Sequence, residues 1–269
     1  MCYINGVRVS LAEFIKYKQQ QKELSQIKMN LMNQPGRRGF DYSEWPVIKP
    51  TMDGKDWDVV GMEWGFIPAY LKTQQDVFNF RHGYKDETGK FRPPLTTLNA
   101  MGEELIKPGK MFREAGLKRR CLILSSGFFE HRHLTVMGKR GKPLATPAKF
   151  PYHITVKDKP VFMMAGIYQP WANKDTGEVI DTFAIITTDA NELMQQVHNS
   201  KMRMPVILPD DLADEWTNPD LTEERITQLA TYQFPANQMK AHSVPKNFLD
   251  ELDPTEEFIY PDLPELIAN

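Results

Sequence analysis

The chain has only two cysteines in 269 residues, Cys2 and Cys121, and neither belongs to a CxxC pair. Two such residues give no disulfide framework and no zinc motif. No apolar run reaches the length of a membrane span; the nearest, Val161 to Tyr168, is strand-length. The first residues also lack the basic and apolar regions of a signal peptide. A reducing cytoplasm, with no membrane partner, is the expected setting. There is no GxGxxG, no Walker phosphate loop and no G-x-S-x-G elbow, so Ser125-Ser126-Gly127 reads as a turn before it reads as a nucleophile. Internal repeats and low-complexity tracts are absent as well, and a chain of this length buries a core that needs no disulfide or metal.

A strong excess of one charge is also missing. The formal net charge of −2 argues against a generally basic nucleic-acid binder. The charge is uneven, however: Lys118 to Lys149 holds eight basic side chains and one acid, Glu130, whereas Asp250 to Asn269 holds seven acids and no Lys or Arg. A local phosphate-binding surface fits those counts, and so does an ordinary solvated face with a solubilising tail.

Several elements can be placed from pattern. Ser10 and Glu13 form a capping-box pattern ahead of Leu11, Phe14 and Ile15, predicting a first helix. Pro35 to Gly39 reads as a loop and Met52 to Lys55 as a turn. Phe78 to Phe91, polar and punctuated by glycine, also reads as a loop, and Leu95 to Ala100 as a short strand. The strongest strand signal is Cys121 to Leu124, then a turn, then Phe128 to Glu130. Strands follow at Tyr152 to Val156, Val161 to Tyr168 and Thr182 to Thr187, with a basic hairpin tip between Gly138 and Gly141. Thr188 or Asp189 is placed to cap a helix through Val197, and Asp220 another from Leu221 to Ala230. Successive strands with few helices between them favour a single α+β domain over a doubly wound one. A boundary near Pro209 is conceivable, but nothing there resembles a flexible linker.

The second residue carries the sharpest chemistry. Removal of Met1 would leave Cys2 with a free α-amine beside its thiol, and that pair can condense with an aldehyde to a five-membered thiazolidine. The plainer alternative is a small buried hydrophobe beside Tyr3 and Ile4. Glu130 ends an aromatic strand, where desolvation would favour its protonated form and acid/base work; an exposed partner for Arg132 is the simpler reading. Asn99 can orient an amine or a substrate oxygen, or merely sit in a turn. His198 can give a proton to the ring oxygen of a sugar hemiacetal, although a histidine at a helix end needs no such role. His131, His133 and His153 lack the spacing of a metal motif, and no metal or other cofactor is expected.

These residues fall inside a dispersed pattern: Met1-Cys2, Trp64-Gly65-Phe66-Ile67-Pro68, Leu98-Asn99-Ala100, Arg120 to Ile123 followed by Gly127 to Glu130, and His198 to Pro205. In that order they resemble the SOS-response-associated peptidase (SRAP) family. The resemblance spans residues 1–208, leaving 209–269 as a C-terminal extension packed on the domain or partly peripheral. It implies a single domain with mixed and antiparallel sheets in a barrel-like core, flanking helices and a positively charged cleft for single-stranded DNA. The implied activity is covalent capture of abasic sites by a protein expected to be monomeric.

Carried over by this resemblance, Cys2 is the nucleophile, Asn99 positions the terminus and the opened sugar, Glu130 is the acid/base group, and His198 assists ring opening and reversal. Arg203 and Trp64 become candidates to shape the cleft or contact DNA, and Arg119 and Arg120 to attract phosphate; Arg37 and Arg38 are further possible contacts. The family usually carries Arg where this chain has Met101 and Glu63, so Arg8, Arg81 or Arg92 are candidates to compensate. An autopeptidase acting on its own leader and a noncatalytic single-stranded DNA module remain the alternatives.

Overall fold

The structure is a computed structural model describing residues 2–9, 30–51, 56–138 and 142–267. The helix expected after Ser10, the turn at Met52 to Lys55 and the hairpin tip at 139–141 lie outside these residues. In chain order the first strands are β1 (Ile4–Arg8), β2 (Asn33–Arg38), β3 (Glu44–Pro50), β4 (Trp57–Trp64), β5 (Tyr84–Lys85), β6 (Phe91–Arg92), β7 (Asn99–Met101) and β8 (Arg120–Ser125). They continue as β9 (Gly127–Leu134), β10 (Ala148–Val156), β11 (Phe162–Ala172), β12 (Val179–Asp189), β13 (Arg203–Pro205), β14 (Ile207–Leu208) and β15 (Met239–Ser243). The helices are α1 (Gln74–His82), α2 (Arg113–Lys118), α3 (Glu192–Val197), α4 (Asp210–Trp216) and α5 (Glu223–Ala230).

The core is a mixed β-barrel. β12 runs parallel to β4, β4 pairs antiparallel with β3, β3 with β8, β8 with β11, and β11 returns to β12, which closes the ring. Such closure explains why β8 and the start of β11 read as unbroken apolar runs. Every residue of β8 is buried, as are Phe162 to Ile167, because these strands are covered on both faces. A second sheet, in the order β15-β10-β9-β1-β2, lies alongside and carries the N-terminal segment. The architecture is α+β, with a barrel core and flanking helices.

Local chemistry corrects several expectations. Residues 74–82, half of them read as loop, are helical because Thr73 and Asp76 form a reciprocal capping box. Their single buried residue, Val77, leaves almost no apolar periodicity to see. β12 persists to Asp189, so α3 starts later than expected and is capped by Asn191, whose Oδ1 accepts from Met194 N–H at 3.0 Å. Thr222, not Asp220, caps α5. Of the 95–100 run only Asn99 and Ala100 pair as a strand, which continues to Met101. Beyond Pro209 the chain stays on the barrel: Trp216 of α4 is fully buried, and its indole N–H is shared between Cys121 O and Gly166 O, each at 3.1 Å. Among the described residues, no helix is long and apolar enough to cross a membrane.

Candidate active site

Four elements converge where β1 leaves β9. The β1–β9 register sets Ile4 opposite Phe129 and Gly6 opposite Gly127; carried one step outward, it brings Tyr3 beside Glu130. Cys2 immediately precedes this point and is fully buried, with its Sγ 3.7 Å from Ile4 O. Burial, reinforced by the Glu130 charge, pushes the Cys2 thiol well above its usual range. Asn99 arrives from the other sheet, because β7 runs parallel to β12 with Asn99 opposite Ile185. Its Nδ2–H donates to Cys2 O at 2.9 Å, which ties the N-terminal segment to the barrel. Asn99 Oδ1 is buried and has no hydrogen-bond partner among the described residues, so it remains able to accept from an amine or hydroxyl. Gly39 closes the other side, donating its N–H to Tyr3 O at 2.8 Å. A Cβ there would sit 3.0 Å from Leu98 and 3.1 Å from Trp64, so this approach favours glycine.

Glu130 and His198 face each other inside the protein. His198 Nε2 lies 3.7 Å from Glu130 Oε2, and both side chains are buried. Burial raises Glu130 to about 7 and lowers His198 to about 4. The tautomer of His198 follows from its neighbour: Nδ1 is 2.7 Å from Arg203 O, a carbonyl that can only accept, so Nδ1 carries the hydrogen. Nε2 therefore presents a lone pair toward Glu130. With its pKa lowered to about 4, this imidazole is neutral at pH 7, and Nε2 is the nitrogen free to accept a proton. Glu130 is not the exposed partner of Arg132, whose guanidinium instead reaches Tyr152 Oη at 3.4 Å and Pro264 O at 2.5 Å.

The residues expected to meet DNA separate into two groups. Trp64 is 2% exposed, donates its indole N–H to Leu98 O at 3.0 Å and stacks on Phe183, so it supports the 98–99 segment from inside and has no face open to a strand. Arg120 is buried with its guanidinium on the carbonyls of Trp216, Gly116, Leu117 and Asn218, which makes it a clamp between β8 and α4. Arg203 is held by Glu103 at 2.7 Å, Asp189 at 2.8 Å and Thr187 O at 2.7 Å. These contacts fix the carbonyl that orients His198. Arg119 is divided among Glu114, Gln169 and Tyr168 O.

Of the compensating candidates, Arg81 meets Glu63 at 2.5 Å and lies 3.8 Å above the Tyr42 ring, Arg92 meets Asp86, and Arg8 meets Asp253 at 3.4 Å. Arg37 and Arg38, on β2 opposite Asn5 and Ile4, are exposed and form no ion pair among the described residues. They border a cavity of about 290 Å³ with Asp41 and Asp250. No three His, Cys, Asp or Glu side chains converge as metal ligands would among the described residues. His153 instead lies against Phe129 and His242.

Two contributors were not singled out as site residues in the sequence. Ser125 Oγ–H donates to Asn5 Oδ1 at 2.7 Å and Ser125 Oγ accepts from Gly127 N–H, so the serine holds the turn that aligns β1 with β9. Asn199 brackets the backbone of His133 from the His198 segment. Both depend on partners far away in the chain.

The chain is similar to known proteins in sequence and in fold. The family model described as SOS response associated peptidase (SRAP) matches residues 11–249. Abasic site processing protein YoqW of Bacillus subtilis is 32% identical over 207 residues, covering 74% of this chain and 78% of that protein. Abasic site processing protein YoaM of the same organism is 31% identical over 207 residues, covering 74% and 77%. A crystal structure of a protein from Bacteroides thetaiotaomicron superposes with a TM-score of 0.77 at 30% identity, covering 96% of this chain and all of that one.

Proposed function

The chain belongs to the SOS response associated peptidase (SRAP) family, and from that premise we propose that it captures abasic sites in single-stranded DNA as a covalent thiazolidine on Cys2. The observation that carries this reading is the gathering of Cys2, Asn99, Glu130 and His198 from four separate elements, with Asn99 holding the Cys2 carbonyl at 2.9 Å and His198 facing Glu130 at 3.7 Å.

The chemistry begins after Met1 is removed. His198 Nε2 accepts the proton of the anomeric hydroxyl while protonated Glu130 gives a proton to the departing ring oxygen, so the sugar opens to its aldehyde. The neutral α-amine of Cys2 then attacks the aldehyde carbon, and the resulting carbinolamine loses its hydroxyl as water to leave an imine. The Cys2 thiol adds to the imine carbon; the Glu130 carboxylate takes the thiol proton, and the nitrogen gains one to become the ring amine. Asn99 Oδ1, buried and unsatisfied, is suited to hold the attacking amine. A carboxyl with a pKa near 7 serves in both directions at physiological pH.

Arg37 and Arg38 are the phosphate contacts this reading favours, being exposed cations on the strand beside β1 that form no ion pair among the described residues. A single strand suits the site because a base-free sugar must bend out of line to reach a buried thiol. The working form is a cytoplasmic monomer in this reading. The test is a denaturing gel with an abasic oligonucleotide and its tetrahydrofuran analogue, which has no aldehyde. A covalent band with the first and none with the second is expected; equal bands, or none with either, would reject the proposal.

A further inference from the structure

The segment carrying His198 has little stability of its own. α3 is six residues long, short of what holds itself together in water. Past it, Ser200, Lys201 and Met202 are exposed, and Met202 adopts a left-handed φ of +51°. His198 is nonetheless anchored through its N–H to Met194 O and through its ring to Arg203 O, each at 2.7 Å. These anchors tie it to its own helix and to β13. Neither ties it to β9, where Glu130 resides.

That third tie comes from Asn199. Among the described residues, β1 pairs with β9 only from Gly127 to Phe129, so the β9 edge beyond Phe129 has no strand neighbour on that side. Alternate residues of a strand direct their backbone groups to the same edge, which exposes those of His131 and His133 there. Side chains meet them. The His131 N–H favours the ionised form of the Glu130 carboxyl, partly opposing the effect of burial. The His133 N–H donates to Asn199 Oδ1 at 2.9 Å, and His133 O accepts from Asn199 Nδ2–H at 2.8 Å. The carboxamide offers one donor and one acceptor in the arrangement of a peptide group, so it takes the place of the missing strand.

We propose that Asn199 is a positioning residue: by bridging both backbone groups of His133 it fastens the loop that carries His198 to the strand that carries Glu130, and so sets their 3.7 Å separation. The inference rests on the reading of Glu130 and His198 as the proton-transfer pair. Without the bridge, the loop keeps its bonds to α3 and β13 and the Ala190 N–H bond to Met202 O at 2.9 Å, but it loses its hydrogen bonds to the His133 backbone, and the imidazole drifts from the carboxyl. Misplacement of about 1 Å at a reacting group is enough to slow a reaction by up to about a hundredfold.

Two readouts test it, one kinetic and one independent of activity. Asn199→Ala is expected to slow capture of an abasic oligonucleotide about ten- to a hundredfold, while binding of the tetrahydrofuran analogue is unchanged. In a His198→Ala background the same substitution should have almost no further effect, because both act through one group. An equal loss in both backgrounds would assign Asn199 a general structural role and overturn the proposal. In ¹³C-histidine NMR, the His198 midpoint should rise from about 4 toward its ordinary value as the loosened loop admits water. His131 and His133, whose charges also act on His198, are followed in the same spectra. An unmoved midpoint would contradict the proposal. Asn199→Asp, which keeps the shape but loses the donor, should give the same pattern and serves if the alanine variant does not fold. Should the wild-type protein form no adduct, the functional reading fails, and the histidine titration still decides the role of Asn199.

Discussion

His198 Nε2 stands 3.7 Å from Glu130 Oε2, and one cause moves the two groups in opposite directions. Burial disfavours charge on both, so the acid holds its proton to about pH 7 and the base stays free to about pH 4. Between those limits the pair is an uncharged donor and an uncharged acceptor side by side. That is the state needed to open a cyclic sugar, which must gain a proton at one oxygen and lose one at another.

Replacing Glu130 by Gln removes the donor and the later acceptor while keeping the shape. Capture of an abasic oligonucleotide should slow by about 10²–10⁴-fold, with noncovalent affinity little changed. The wild-type rate–pH profile should show an inflection near 7 that the variant lacks. Single-turnover kinetics across pH measures both, and a retained inflection would point to another group.

The same shifts fix how stability depends on pH. His198 and His153 are held down to about 4 and about 3, from 6.5, chiefly by burial. Their contribution is complete above pH 6.5 and is lost as pH falls through those lower values. Glu130 is raised from 4.5 to about 7, so its contribution is complete below pH 4.5 and is lost as pH rises through about 7. Thermal melts of the wild-type protein should therefore fall steadily from pH 6.5 toward 3. Glu130→Gln should gain on wild type only above pH 4.5, with the gap widening until just past 7.

Arginines near the site should divide by what they touch. Arg37→Ala and Arg38→Ala should each reduce the salt dependence of single-stranded DNA binding, by a slope of roughly 0.7 per charge. Arg120→Met should leave that slope unchanged but destabilise the fold by roughly 2–4 kcal/mol, since it strands buried carbonyls between β8 and α4. Binding isotherms across salt, paired with denaturant melts, separate the two behaviours.

Much of the fold was legible because its signals are local. Unbroken apolar runs at Cys121 to Leu124 and Val161 to Tyr168 mark strands buried on both faces, and both form barrel staves. α1 was hidden because only Val77 is buried along it. At the site, Asn99 and Glu130 could be singled out by residue type and setting. The fate of each arginine could not be, because it depends on partners far along the chain: Arg120 on Trp216 O and Asn218 O, Arg203 on Glu103. Trp64 was a candidate for the cleft, and its burial depends on Leu98 O and Phe183, both distant in the chain. His198 could be named from sequence, but its tautomer required the carbonyl of Arg203.

The central claim is that one carbon of a base-free sugar becomes bonded to both the amine and the sulfur of Cys2. Its most direct test is the mass of the N-terminal peptide, released by protease and nuclease after the protein, verified to begin at Cys2, has reacted with an abasic single strand. The expected mass is that of the peptide plus the sugar remnant minus one water, localised to Cys2, unreactive toward thiol alkylation and absent from Cys2→Ala. An unmodified Cys2 terminus, or a sugar remnant attached to a lysine, would contradict it.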